Sequence, residues 1–302
     1  MSALPHSLFH ALADVEVREH EPMSRHTSFA IGGPADLYAI PRSLQGLRDL
    51  LVACGQSGLP HTIIGNGSNL LVRDGGLRGV VIQIADNLSA VRRDGCHVIA
   101  ESGASLAKLC MFAADEGLSG LSFASGIPGT VGGAVFMNAG AHGGDIGEFV
   151  HEVRAYDLHG VETVLTHAEL DFSYRHSALQ DRSLIVAEVT FDLCAGDSAD
   201  LHAQMCEIVA KRCEKQPINV PSAGSVFKRP PGDYAGRLIE SVGGKGLRVG
   251  DAQISTKHAG FIVNLGQATA ADVLELINQI KNRVHAEHGV WLETEIRVIG
   301  ED

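Results

Sequence analysis

The residues able to do chemistry fall into four short runs of the 302-residue chain. Gly65-Asn66-Gly67-Ser68-Asn69 lies between apolar stretches at 62–64 and 70–72. It begins like a dinucleotide fingerprint. However, Leu70 stands where the third glycine belongs, and a strand pattern follows where a helix should, which disfavours a Rossmann site. Two readings stay open: a turn whose backbone N–H groups and Asn and Ser side chains ring an anion, or an ordinary hairpin turn. The second run is denser, with ten glycines in 31 residues between Gly117 and Gly147 and no Lys or Arg. At its centre is Ser125-Gly126-Ile127-Pro128-Gly129-Thr130-Val131-Gly132-Gly133-Ala134, followed by Asn138-Ala139-Gly140-Ala141. So much glycine costs backbone entropy and suits a chain passing close to a flat group. A flexible surface loop would not carry Ile127, Val131, Val135, Phe136 and Met137, so the segment reads as a cradle for a pyrophosphate beside a ring system.

The other two runs carry reactive side chains. Phe172-Ser173-Tyr174-Arg175-His176-Ser177 sets a cation among aromatic and hydroxyl groups, either as a functional Arg or as a structural one in a loop. Ser225 sits on the tight turn Pro221-Ser222-Ala223-Gly224-Ser225, just before Lys228 and Arg229. This is not a hydrolase elbow, and no local base activates Ser225, which favours a proton donor or hydrogen-bonding role over a nucleophile. Metal chemistry has little support in the spacing. Six dispersed cysteines form no C-x-x-C pair, and His285 and His288 share a helix face without a third ligand nearby.

The elements that must position these runs alternate in type. Helical spacing predicts helices at 8–15, 44–54 (ending at Gly55), 105–116, 201–214 and 270–287, the last capped by Thr269 and Asp272. Its Ala270, Val273, Leu274, Ile277, Ile280 and Val284 form an apolar stripe. Strands are expected at 35–40, 62–64, 70–72, 80–84, 98–100, 152–157, 162–165 and 184–193, with 21–25 a polar loop. A final strand at 291–299 would put Glu293, Glu295 and Arg297 on one face. This order suggests an α+β fold with mixed sheets. A net charge of −12 argues against a nucleic-acid partner, and no apolar run reaches the ~18 residues of a membrane helix. The acidic N-terminal stretch lacks signal-peptide character and the cysteines lack a disulfide pattern, so a cytoplasmic location is expected.

Taken in order, several runs resemble the UDP-N-acetylenolpyruvoylglucosamine reductase (MurB) family. They are His26-Thr27-Ser28-Phe29 with Gly32-Gly33-Pro34-Ala35, the turn at 65–72, Gly126 to Ala134 with Asn138 to Ala141, Tyr174-Arg175, Ala223-Gly224-Ser225 with Phe227, Ser255 to Phe261, and Glu295-Ile296-Arg297. The resemblance implies an FAD-binding fold of the vanillyl-alcohol-oxidase (PCMH) type in two subdomains, 1–85 with 291–302 returning and 86–205, plus an α+β substrate domain at 206–290. Only about 50 positions separate Arg175 from Ser225, which points to the shorter subclass without a tyrosine-bearing loop.

The resemblance further implies noncovalent FAD, NADPH as cosubstrate and a nucleotide-sugar substrate whose enolpyruvyl ether is reduced. It assigns FAD to Gly65, Asn66, Gly67, Ser68, Asn69, Ser125, Gly126, Ile127, Pro128, Gly129, Thr130, Gly132, Gly133, Asn138, Ala139, Gly140 and Arg297, and substrate to Tyr174, Lys228 and Arg229; where the family often has a basic residue this chain has Cys213, with Lys211 and Arg212 beside it, and Arg212 is taken as the one that meets the substrate diphosphate. Arg175 would pair with the substrate carboxylate. Glu295 would hydrogen-bond the growing charge, and Ser225 would supply the proton, aided by Lys228 or Arg229. Two rival readings are an oxygen-using oxidase of the same fold and a nucleotide-sugar binder without turnover.

Overall fold

The computed structural model describes residues 6–302. The chain divides into two compact units. The first comprises the chain up to Glu19, Leu37–Asn66 and Gly79–Ala210; the second comprises His20–Asp36, Gly67–Arg78 and Lys211–Asp302. Helices and strands mix in both, as expected for α+β.

The centre of the first unit is a five-stranded antiparallel sheet in the order Glu162–Thr166, Val150–Tyr156, Ile185–Asp192, His97–Glu101, Val91–Asp94. Alternate residues Val98, Ala100, Val153, Val189 and Phe191 are fully buried, and Leu106, Leu109, Val131 and Val135 of two helices pack into the same core. Each such aliphatic side chain contributes about 1.5–3 kcal/mol of burial. A second core of this unit gathers Leu37, Ala39, Val80 and Ile82 with Leu47, Leu50 and Leu51 of the helix Leu44–Ser57. That helix starts where Ser43 Oγ accepts the Gly46 N–H at 3.0 Å.

In the second unit the helix Ala270–His288 buries Ala270, Val273, Leu276, Ile277, Ile280 and Val284 in a core shared with Ala252, Ile254 and Ile262 of a three-stranded sheet. Thr269 and Asp272 form the expected capping box, and Asp74 accepts the N–H groups of Ala270 and Ala271 at 2.8 and 3.0 Å. The strand Arg297–Ile299 pairs in parallel with Leu70–Val72. No helix among the described residues is long and apolar enough to cross a membrane.

Several expectations need correction. The first helix is His6–His10, and Val15–Pro22 is a strand followed by a short 3-10 turn at Met23–Arg25. Val15 and Val17 pack on the core while Glu16 and Arg18 pair outside, an alternation hidden by the charges. The helix expected to stop at Gly55 runs on to Ser57 and ends at Gly58, whose φ is +64°. Gly55 is a close-approach residue, since a side chain there would strike the Leu158 carbonyl oxygen. In the long helix Leu276 is buried and Leu274 only partly so. The final strand is confined to Arg297–Ile299, with Trp291 exposed.

Candidate functional site

The first unit carries a candidate site made of turns and small hydroxyls. The segment at 65–69 is no hairpin turn: His61–Ile64 pairs in parallel with Leu77–Gln83, and Leu70–Val72 pairs with Arg297–Ile299. Gly65 must lack a side chain because a Cβ there would strike Thr130 Oγ1. Thr130 is buried and opens the helix Val131–Phe136 by accepting the Gly133 N–H at 3.3 Å.

That helix corrects the picture of an open cradle across the whole glycine run. The Val131 and Gly132 N–H groups donate to Ala104 and Ser102 carbonyls, both at 2.8 Å, so with Gly133 three successive amides are spent inside the protein. The N–H groups of Gly126, Gly129 and Thr130 have no acceptor among the described residues. Two hydroxyls, Ser102 Oγ and Ser125 Oγ, are buried without a hydrogen-bond partner among the described residues. Buried orphans of this kind cost about 1–3 kcal/mol each, an expense a ligand with acceptor oxygens would remove. Nothing in the sequence signalled Ser102; it is found through the packing of the Gly132 turn against it.

Asn138 is committed to the protein. Held at φ +42°, it donates from Nδ2 to the Ser173 carbonyl and accepts the Gly147 N–H on Oδ1, both at 2.9 Å. It thereby ties down the turn that carries Arg175. Ser173 and His176 exchange backbone hydrogen bonds around Tyr174 and Arg175, and Arg175 sits at φ +57°. A left-handed arginine is a strained conformation that its surroundings must enforce. They do so through Arg175 Nη2 donating to the Gly140 carbonyl at 3.1 Å, Asp145 at 4.0 Å, the Tyr174 ring with its centroid 5.0 Å away, and Gln180 Nε2 donating to the Arg175 carbonyl at 3.0 Å. Ala139 accepts the Ile146 N–H and Ile127 donates to Ala124, which fixes the rest of this loop system.

The second unit carries a candidate site of polar and charged side chains. Ser225 is exposed, after Gly224 at φ +77°. It bridges to Phe261, the Val226 N–H donates to the Gly260 carbonyl at 2.9 Å, and the Glu295 N–H donates to the Val226 carbonyl at 2.8 Å. The hydroxyl of Ser225 and the carboxylate of Glu295 therefore belong to one hydrogen-bonded ribbon. The turn at 67–69 joins it: Asn69 Nδ2 donates to the Glu295 carbonyl at 3.2 Å, and the Arg297 N–H donates to the Asn69 carbonyl at 2.9 Å. Gly67 accepts the Ser28 N–H at 3.2 Å, which brings in the His26-Thr27-Ser28-Phe29 run.

The neighbouring cations have partners of their own. Lys228 Nζ donates to Glu293 Oε2 at 3.3 Å, and the Arg229 guanidinium lies 4.1 Å from the Tyr234 ring centroid. Arg212 is different, because its Nε is buried with no partner and burial pulls its pKa below the usual value. Lys257 Nζ donates to the carbonyl of adjacent Cys213 at 2.7 Å. His258, not singled out in the sequence, accepts the Gly260 N–H on Nδ1 at 3.1 Å and packs edge-on to Phe261. It thus braces the segment that bridges to Ser225, and burial pushes its pKa down. His288, one of the two helix histidines, pairs with Ser241 Oγ at 2.7 Å, and His285 packs on Trp291.

Residues 216–299 match the family described as UDP-N-acetylenolpyruvoylglucosamine reductase, C-terminal domain, and residues 35–165 match an FAD binding domain. The chain is 49% identical over 292 residues to the UDP-N-acetylenolpyruvoylglucosamine reductase of Levilactobacillus brevis, covering 97% of this chain and 96% of that one. It is 48% identical over 282 residues to the enzyme of the same name from Clostridium botulinum, covering 93% and 92%. The crystal structure of UDP-N-acetylenolpyruvylglucosamine reductase (MurB) from Thermus caldophilus superposes with a TM-score of 0.81 at 37% identity, covering 94% of this chain and 98% of that one.

Proposed function

The chain belongs to the UDP-N-acetylenolpyruvoylglucosamine reductase family, and from that premise we propose how its residues divide the work of the reaction. The protein is an FAD-dependent oxidoreductase with the PCMH-type fold, and it reduces the enolpyruvyl ether of the UDP-N-acetylglucosamine derivative to UDP-N-acetylmuramate for peptidoglycan synthesis, with NADPH as donor. The first unit fits FAD: two buried hydroxyls and three uncommitted amides await acceptor oxygens such as those of a pyrophosphate. FAD held there would supply hydride transfer from NADPH to the terminal carbon of the enolpyruvyl ether. We assign its pyrophosphate to the turns at 65–69 and 125–130, and the polar edge of its ring to Arg297. Gly132, Gly133, Asn138, Ala139 and Gly140 shape that pocket.

Conjugate addition drives charge into the substrate carboxylate. Arg175, whose guanidinium is steadied by Gly140, Asp145 and Tyr174, pairs with it. Glu295 hydrogen-bonds the developing enolate, and Ser225 delivers the proton to the carbon that bears the ether oxygen. Arg212, with its unpartnered buried Nε, takes the substrate diphosphate, joined by Tyr174, Lys228 and Arg229. In this assignment residues 1–85 with 291–302 and 86–205 are the FAD subdomains, 206–290 is the substrate domain, and the enzyme works in the cytoplasm.

The observation that supports the assignment is the 2.8 Å hydrogen bond from the Glu295 N–H to the Val226 carbonyl, which pairs the backbone of Glu295 with the residue after Ser225. Purified protein should be yellow, and acid should release the colour into the supernatant. NADPH should be consumed only when the enolpyruvyl nucleotide sugar is added. Rapid NADPH oxidation by oxygen alone, or a colourless protein that FAD does not reconstitute, would overturn the proposal.

A further inference from the structure

We propose that His97, His151 and Asp192 form a binding site for one late first-row divalent metal ion, with zinc as the type case. The three residues come from three neighbouring strands of the five-stranded sheet. Asp192 ends the middle strand Ile185–Asp192, directly opposite His97 in register. His151 reaches the same spot through an irregularity. Val150 faces Phe191 and Glu152 faces Thr190, so His151 is an extra residue with no counterpart. Such a bulge re-aims a side chain, and here it turns His151 beside Asp192.

The geometry suits a metal. His97 Nε2 lies 2.6 Å from Asp192 Oδ1 and His151 Nδ1 lies 2.8 Å from Asp192 Oδ2. The two rings are 5.0 Å apart and inclined by 30°, and the three donor atoms all fall within 4.8 Å of one another. All three side chains remain open to solvent, so an ion can enter and water can complete the shell. Two imidazole nitrogens and one carboxylate oxygen are the donor types zinc takes, and with one water they give a tetrahedral site. The protons now shared with Asp192 would move to the other ring nitrogens or to solvent, because the ligating nitrogens must offer lone pairs. On the opposite face Val98, Val150 and Phe191 are buried, so the ion would clamp three strands above a rigid core. None of these residues has a part in the proposed reaction.

Zinc titrated calorimetrically into EDTA-stripped, FAD-loaded protein should bind with one equivalent per chain and raise the melting temperature. Cobalt in its place should show the intense visible absorption of a tetrahedral site. Asp192→Asn, His97→Gln and His151→Gln should each weaken zinc binding by about tenfold or more, while NADPH-dependent turnover is unchanged. The glutamine variants keep a hydrogen-bond donor toward Asp192, so the sheet remains intact when a ligand is lost. Absence of saturable zinc binding, or binding that survives in all three variants, would overturn the proposal.

Discussion

The candidate sites of the two units are built by different means. In the unit formed by Leu37–Asn66 and Gly79–Ala210, ligand-binding capacity lies in backbone amides, two orphaned hydroxyls and glycines that leave no room for a Cβ, all backed by a fully buried core. Arg175 is restrained there by four separate contacts. In the unit that ends the chain, Ser225, Glu295 and Arg297 are side chains on a ribbon held by backbone hydrogen bonds, and their neighbours Lys228 and Arg229 are occupied by an exposed carboxylate and a tyrosine. The first arrangement suits shape-dependent grip on a large, rigid cofactor. The second suits delivery of a proton, where one functional group matters more than the contour around it. Substitutions should therefore separate flavin retention from chemistry on the substrate.

The largest effect is expected at Gly65. Its Cβ position is blocked by Thr130 Oγ1, with Thr130 Cγ2 at 3.1 Å and Cβ at 3.3 Å, and Thr130 is buried and cannot yield cheaply. Gly65→Val should purify with little flavin while near-normal circular dichroism shows that the fold persists; the ratio of visible to ultraviolet absorbance reads the outcome. Full retention of FAD would break the contrast on its first side. Next is Arg175→Lys, which keeps the charge but loses the planar fork that grips a carboxylate through two parallel bonds. Reoxidation of reduced flavin by the enolpyruvyl substrate should slow at least tenfold, or about 1.4 kcal/mol of barrier, with reduction by NADPH little changed. Unaltered reoxidation would remove Arg175 from the reaction.

A smaller effect concerns His258. Burial holds its pKa in the folded protein below the ordinary 6.5. Between that lowered value and 6.5 the unfolded chain binds more protons than the folded one. Stability is therefore complete above 6.5 and falls as the pH drops toward the folded pKa. His258→Asn should flatten this slope in urea unfolding experiments between pH 7 and roughly pH 5, a window set by the usual histidine range. An unchanged slope would show that another group sets it.

Much of this contrast was legible in the sequence, and the exceptions are instructive. Period and capping placed the helix Ala270–His288 to within a residue, because a 3.6-residue stripe and the Thr269 and Asp272 pair are local signals. The glycine-rich run stands out in the sequence by composition alone. Its amides at 131–133 turned out to be consumed by Ala104, Ser102 and Thr130, a result of tertiary packing that no local pattern carries. Gly55 read as a helix end because glycine often ends helices; here it admits the Leu158 carbonyl, more than a hundred positions later in the chain. The strand Val15–Pro22 was obscured by its charged outer face. The cluster of His97, His151 and Asp192 was invisible for a related reason, since strand pairing and one bulge bring together residues that share no spacing.

The central claim is tested most directly by following the two half-reactions of Ser225→Ala separately in stopped flow. If Ser225 delivers the proton, reduction of bound flavin by NADPH should match the unsubstituted protein. Reoxidation by the enolpyruvyl substrate should slow by about 10²- to 10⁴-fold, the usual contribution of a general acid. Equal slowing of both half-reactions would mean that the change had damaged flavin binding, and undiminished reoxidation would leave Ser225 a turn residue with no part in the chemistry; either result would contradict the division of labour between the two units.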